Sequence, residues 1–169
     1  LHKEYRRQRQ MCIRDIDLWA GNLLAVMGLT AWVGVLSAGL LGDKFGPLWA
    51  TTFSFALRIL VFGLIALDQS IVSVTIFALV FGFSFLMTAP LTVLFVRQHF
   101  GLRHLGAISG LITMVHHICG GLGAYLGGYI FDRTGDYTPA FWIMFAASII
   151  AIGACQVLAR RPNPVLTPI

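Results

Sequence analysis

The chain is a succession of apolar runs parted by short polar hinges: Leu18 to Leu41, Leu48 to Leu67, Ile71 to Val96, Leu105 to Phe131 and Ala140 to Leu158. Each offers about the 20 residues that an α-helix needs to cross roughly 30 Å of hydrocarbon. No run shows the sustained period-two alternation of a barrel strand. The expected fold is therefore all-α, a polytopic transmembrane helical bundle of five spans. Its short connections should make consecutive helices neighbours that alternate in direction. Composition agrees, with 57% hydrophobic and 11% charged residues, where a soluble domain carries about 25% charged. The mean hydropathy is +0.81.

The net charge of +5 does not point to nucleic acid. The charges gather between apolar runs and at the two ends, with no basic face for a phosphate backbone to follow. Their placement instead sets an orientation, since basic residues favour the cytoplasmic side. Lys44, Arg97, Arg103, Arg160 and Arg161 fall on one side of the expected bundle. The other side has Arg133 with Asp68, Asp132 and Asp136. The loop 42–47 and the C-terminus, with the Pro-rich tail 162–169, are therefore expected in the cytoplasm.

Residues 1–17 stand apart. Lys3, Arg6, Arg7, Arg9 and Arg14 crowd there with Glu4, Asp15 and Asp17, and the segment lacks the parts of a signal peptide. The chain begins with Leu, and Tyr5 to Asp15 resembles the translation of sequencing-adaptor DNA. A genuine basic leader would place five positive charges outside, against the rule that orients the rest. We read 1–17 as foreign to the fold. The alternative is a juxtamembrane segment drawn to anionic lipid.

Glycine gives the expected packing. Small residues let membrane helices approach closely, because lipid supplies little hydrophobic drive for their association. Gly34, Ala38 and Gly42 make such a face in the first span; Gly120, Gly121, Ala124, Gly127 and Gly128 do so in the fourth. The second and fifth spans carry large side chains such as Phe53, Phe62, Trp142 and Phe145 and are expected to face lipid. Pro90 should bend the third span.

Candidate functional side chains are those that are costly in hydrocarbon. His116 and His117 lie near mid-depth, about 100° apart on the helix, with Thr113 one turn before His117. Either can bind an anion or titrate, since an unperturbed histidine has a pKa near 6.5. Arg58 cannot shed its charge, so it attracts an anion or bonds the carbonyls of a neighbouring helix; the second reading is preferred. Trp32 could stack on a substrate, or simply pack. Cys12, Cys119 and Cys155 are scattered, which argues against a disulfide framework or a zinc site. Neither a metal nor a cofactor is expected.

Gly39-Leu40-Leu41-Gly42-Asp43-Lys44-Phe45-Gly46 resembles the G-x-L-x-D-[RK]-x-G signature of the major facilitator superfamily. Pro47 and Leu48 stand where the stronger first copy of that signature carries basic residues, which favours the second copy, between helices eight and nine. Gly82-Phe83-Ser84, Pro90-Leu91, His116-His117 and the stretch from Gly127 to Tyr137 resemble helices ten and eleven of bacterial members of the monocarboxylate and oxalate/formate type. The resemblance covers about Leu18 to Arg161. It implies that these spans are helices eight to twelve of a twelve-helix fold in a bacterial plasma (inner) membrane. It also implies alternating access between two halves, of which the N-terminal one is not in this chain. Helices eight, ten and eleven would line the central path, with nine and twelve outside.

On that reading the protein is no enzyme. It carries a small, organic anionic solute, driven by a proton or solute gradient. Gly39, Gly42, Asp43, Lys44 and Gly46 form a cytoplasmic gating motif in which Asp43 acts as a charge latch. Two other classes compete. A membrane enzyme would need a His–carboxylate cluster, a nucleophile elbow or a nucleotide loop. A truncated or structural membrane protein would have no transport activity by itself.

Overall fold

The computed structural model describes residues 2–160, with side chains from residue 18 onward. The expected tail 162–169 lies outside the described residues, as do the side chains of the basic leader. The elements are α1 (His2–Phe45), α2 (Pro47–Leu67), α3 (Ile71–Phe85), α4 (Thr88–Phe100), α5 (Leu105–Thr134) and α6 (Thr138–Ala159). Among the described residues five stretches are long and apolar enough to cross a membrane: Leu18–Phe45, Pro47–Leu67, Ile71–Phe100, Leu105–Thr134 and Thr138–Ala159. The third of these is α3 and α4 together.

The boundaries differ from expectation in two instructive ways. The first helix does not stop at Leu41. It runs on to Phe45, so nearly all of the glycine–aspartate motif is helical, and the anticipated loop 42–47 shrinks to Gly46. That residue has φ 87° and ψ 152°, a region essentially reserved for glycine. Pro47 follows at the first turn of α2, where its missing N–H costs nothing. Second, the third span is broken rather than bent, and the break falls at Leu86–Met87, ahead of Ala89-Pro90. A proline ring collides with the carbonyl four residues back, here that of Leu86. The Ala89 N–H bonds the Leu86 carbonyl instead, at 3.2 Å.

The packing also corrects the expected division of faces. The second span is not peripheral within this chain. α2 touches α1, α3, α4 and α6, and it buries Ala50, Ser54, Val61, Phe62 and Ile65. The large side chains that suggested lipid exposure are partly core: Phe62 packs against Phe77 and Phe81 at 5.7 and 5.5 Å between centroids. Phe145 of α6 lies over Gly63. A fully buried cluster of Ala38, Ala50, Met87 and Leu91 joins α1, α2 and α4.

The close approach expected of Gly34 and Ala38 is present in α1. A Cβ on Gly34 would collide with the carbonyl oxygen of Phe83 and lie 2.9 Å from its carbon. On the other helix, a Cβ on Gly82 would meet Thr30 Oγ1 and, at 2.7 Å, the Met27 carbonyl oxygen. α1 and α3 therefore touch backbone to backbone. The fourth span shows the opposite. α5 has no buried residue, and Gly120, Gly121, Gly127 and Gly128 have no neighbour within 4 Å of an added Cβ. Ala124 is exposed too. Among the described residues α4 and α6 pack on α5, and neither covers those glycines.

The two ends of the bundle can be told apart. A cleft lined by Phe45, Gly46, Pro47, Trp49, Gln98, His99, Leu158 and Ala159 gathers the α1–α2 junction, the end of α4 and the end of α6. At the other end Gln69 Nε2 donates to Thr138 Oγ1 at 2.8 Å and Asp136 Oδ1 at 3.5 Å, tying the α2–α3 turn to the α5–α6 turn. Lys44, Arg97 and Arg160 are on elements ending at the first, Asp68 and Asp136 at the second.

That second end carries a pH dependence. The hydroxyls of Ser73 and Ser70, then the Ser70 N–H, hold the Asp68 carboxyl below its ordinary 3.8. The Thr138 hydroxyl and N–H do the same for Asp136. A folded-state pKa below the unfolded one gives stability that is present above the unfolded value and lost as pH falls through the folded one. Both carboxylates are exposed, so the effect is small. The unfolding midpoint in detergent should be flat from neutral pH down to about 5 and decline below about 4. Asp68→Asn with Asp136→Asn should remove most of that decline; an unchanged acid limb would contradict it.

Candidate functional site

The motif at the α1–α2 junction is built by packing and by one turn. Ala38 is fully buried. One turn on, a Cβ on Gly42 would lie 2.8 Å from Leu94 Cδ1 and 3.1 Å from Leu91 Cδ2. Gly42 thus seats the end of α1 on α4. Gly46 makes the turn, with its N–H on the Gly42 carbonyl at 3.0 Å. Gly39, by contrast, has open space around it. Asp43 and Lys44 are exposed, and Lys44 Nζ lies 5.2 Å from the ring centroid of Phe45. The lysine leans on an aromatic face. The Asp43 carboxylate is left at the carbonyl end of a helix, where the dipole disfavours negative charge.

A second polar cluster lies at the broken third span. Arg58 Nη2 donates to the Ser84 carbonyl at 2.9 Å, to the Phe85 carbonyl at 3.2 Å and to Thr88 Oγ1 at 3.5 Å. Ser54, one turn before Arg58 on α2, donates to the same Ser84 carbonyl at 3.0 Å. The guanidinium also lies 4.8 Å from the Phe55 ring centroid. Charge-assisted bonds to carbonyls freed by a helix break are a sufficient reason for a cation at this depth. Ser84 entered the sequence reading within the Gly82-Phe83-Ser84 resemblance, and Ser54 was not singled out. The four-residue spacing of Ser54 and Arg58, which puts both on one face of a helix, was the available signal.

The histidines are placed differently. His117 Nδ1 lies 2.8 Å from the Thr113 carbonyl. A carbonyl only accepts, so Nδ1 is the donor of this bond and Nε2 is left outside it. The Thr113 hydroxyl turns back to the Ser109 carbonyl at 2.8 Å. The His116 ring stands 5.8 Å away and at 89° to that of His117. Both are exposed on α5. Trp32 is 76% exposed on α1. The structure therefore brings His116, His117 and Thr113 together but not with Arg58 or Trp32. Among the described residues no three His, Cys, Asp or Glu side chains form a group able to hold a metal.

A helical bundle with this motif at one end and a broken third span defines a class, and comparison with known proteins supplies it. The model of the Major Facilitator Superfamily matches residues 17–168, so the chain belongs to that family, one of transporters and not of enzymes. It is 29% identical over 151 residues, 85% of this chain and 33% of the relative, to monocarboxylate transporter 13 of Rattus norvegicus. It is 29% identical to the Bos taurus protein of that name over 89% of this chain and 36% of the relative. To the uncharacterized MFS-type transporter YcxA of Bacillus subtilis (strain 168) it is 27% identical, over 83% of this chain and 35% of the relative. The chain thus spans about a third of the length of the curated relatives it matches. No solved structure matches it.

Proposed function

We propose that these spans are helices eight to twelve of a twelve-helix secondary carrier that moves a small organic anion, such as a monocarboxylate, by alternating access. The observation that carries the reading is a similarity to a transporter named for monocarboxylates, running over 85% of the chain, together with the family match. The geometry is compatible in three respects. The open face of α5 presents His117 with its Nδ1 on the Thr113 carbonyl and its Nε2 directed elsewhere, the ring atom proposed to meet a carboxylate or a proton. Gly42 and Gly46 hold Asp43 exposed at the bundle's end, placed to latch onto a cation of the other half. The more basic end, with Lys44 and the end of α6, is assigned to the cytoplasmic side of a bacterial plasma (inner) membrane. Protons are the proposed coupling ion, and the N-terminal half and the bilayer are the proposed partners.

The test is uptake of labelled L-lactate into proteoliposomes holding the full-length protein, under an imposed proton gradient. Saturable uptake is expected, competed by excess pyruvate and not by glycerol. Uptake no greater than in protein-free liposomes, or equal competition by glycerol, would overturn the reading. One observation favours a second reading for the five-span chain by itself: the His117 face of α5 meets no counter-surface within it. These residues alone are expected to show no uptake, and joining them to the upstream spans to restore it.

A further inference from the structure

We infer that Arg58 is a positioning residue for the transport cycle, clamping the broken third span so that α4 can swing on α3 as a hinged lever. Arg58 belongs to α2, the helix that packs on α1, α3, α4 and α6. Among the described residues its guanidinium pairs with no carboxylate. It reaches the Ser84 and Phe85 carbonyls on the α3 side of the break and Thr88 Oγ1 on the α4 side. One cation therefore bonds both halves of the span. Ser54 reinforces the α3 side through the Ser84 carbonyl, and Thr88 Oγ1 itself bonds Phe85 across the gap at 3.3 Å. Met87 in the break and Leu91 on α4 are fully buried, so the start of α4 is seated in the core cluster with Ala38 and Ala50. That cluster lies one turn from Gly42, whose added Cβ would touch Leu91 and Leu94. The break is thus connected by packed side chains to the motif at the bundle's end.

Two features distinguish a clamp from simple capping. A helix break in hydrocarbon frees carbonyls that some donor must satisfy, and a hydroxyl suffices for one. Here a permanent cation is used, and its Nε is buried without a hydrogen-bond partner. Pro90 keeps the hinge from healing, because the Leu86 carbonyl can never receive the backbone N–H that a continuous helix would offer.

The consequence for transport rests on the carrier reading above; the consequence for the hinge does not. In the full-length protein with its native cysteines replaced by serine, Leu79→Cys on α3 and Val93→Cys on α4, both exposed, take spin labels. The distance distribution between them reads the bend. Arg58→Gln should broaden it and lower L-lactate turnover about tenfold. Arg58→Lys, which keeps the charge, should fall between. Adding Pro90→Ala to Arg58→Gln should narrow the distribution again, since the span can close its own hydrogen bonds, while turnover stays low for want of a hinge. The proposal is overturned if Arg58→Gln leaves the distribution as narrow as before. It is equally overturned if the amount of folded protein drops but turnover per folded molecule does not. If the unmodified protein moves no lactate, the carrier reading fails and the label distances still decide the clamp.

Discussion

Gly34→Ala is expected to destabilise the bundle by about 3 kcal/mol, the upper part of the range for an overpacked core. A single methyl has this effect because of what it meets. The Cβ of residue 34 would enter the space of the Phe83 carbonyl, with the carbonyl carbon at 2.9 Å. Backbone cannot rotate aside as a flexible side chain can, so α3 must move away from α1. Its neighbours must move with it, since Gly82 holds the same contact from the other side against Met27 and Thr30. Gly28, two turns earlier on the same helix, has open space around it. There the same substitution should be neutral or favourable by up to about 1 kcal/mol, because alanine loses less conformational freedom in a helix. The check is the thermal unfolding midpoint of the purified full-length protein in detergent. Similar midpoints for the two variants would mean that α1 and α3 do not meet backbone to backbone.

The second large effect should be on transport and not on stability. Asp43→Asn removes a negative charge from the carbonyl end of α1, where the macrodipole opposes it. Lys44, the adjacent cation, leans on Phe45. Folding should therefore be unchanged or favoured by a few tenths of a kcal/mol. If Asp43 is a latch to the other half, losing an interaction of about 1.4 kcal/mol makes one conformational step roughly tenfold slower or less populated. Lactate uptake at saturating substrate should fall by about that factor while the unfolding midpoint holds. A fall in both would place Asp43 among structural residues, and a fall in neither would remove the latch.

Much of the architecture was legible because hydrocarbon leaves few choices. Span length alone places five helices, and all five are found. A bend in the third span was legible from Pro90, but neither that the helix breaks nor where, because the collision acts four residues upstream of the ring. Arg58 illustrates how far composition reaches. A cation at mid-span must find oxygen, and helix carbonyls are the preferred expectation, but which carbonyls depends on where the neighbouring helix breaks. The glycine faces were half legible. Gly34 and Gly82 pack because α1 and α3 cross there, whereas Gly120, Gly121, Gly127 and Gly128 of the equally glycine-rich α5 meet nothing among the described residues. Spacing records which residues share a face and not what that face meets. For the same reason the Phe-rich α2 was misplaced to the periphery. The bond from Gln69 to Thr138 joins turns far apart in sequence and leaves no local trace.

Whether these helices belong to a two-halved carrier is tested most directly by a long, clean read of the DNA upstream of the Asp15 codon. An open frame is expected to continue into about seven further spans, with a stronger copy of the glycine–aspartate motif after the second of them. A start codon just ahead of Leu1, with residues 1–17 genuine, would contradict it, because a bundle of these spans alone has no second half to rock against.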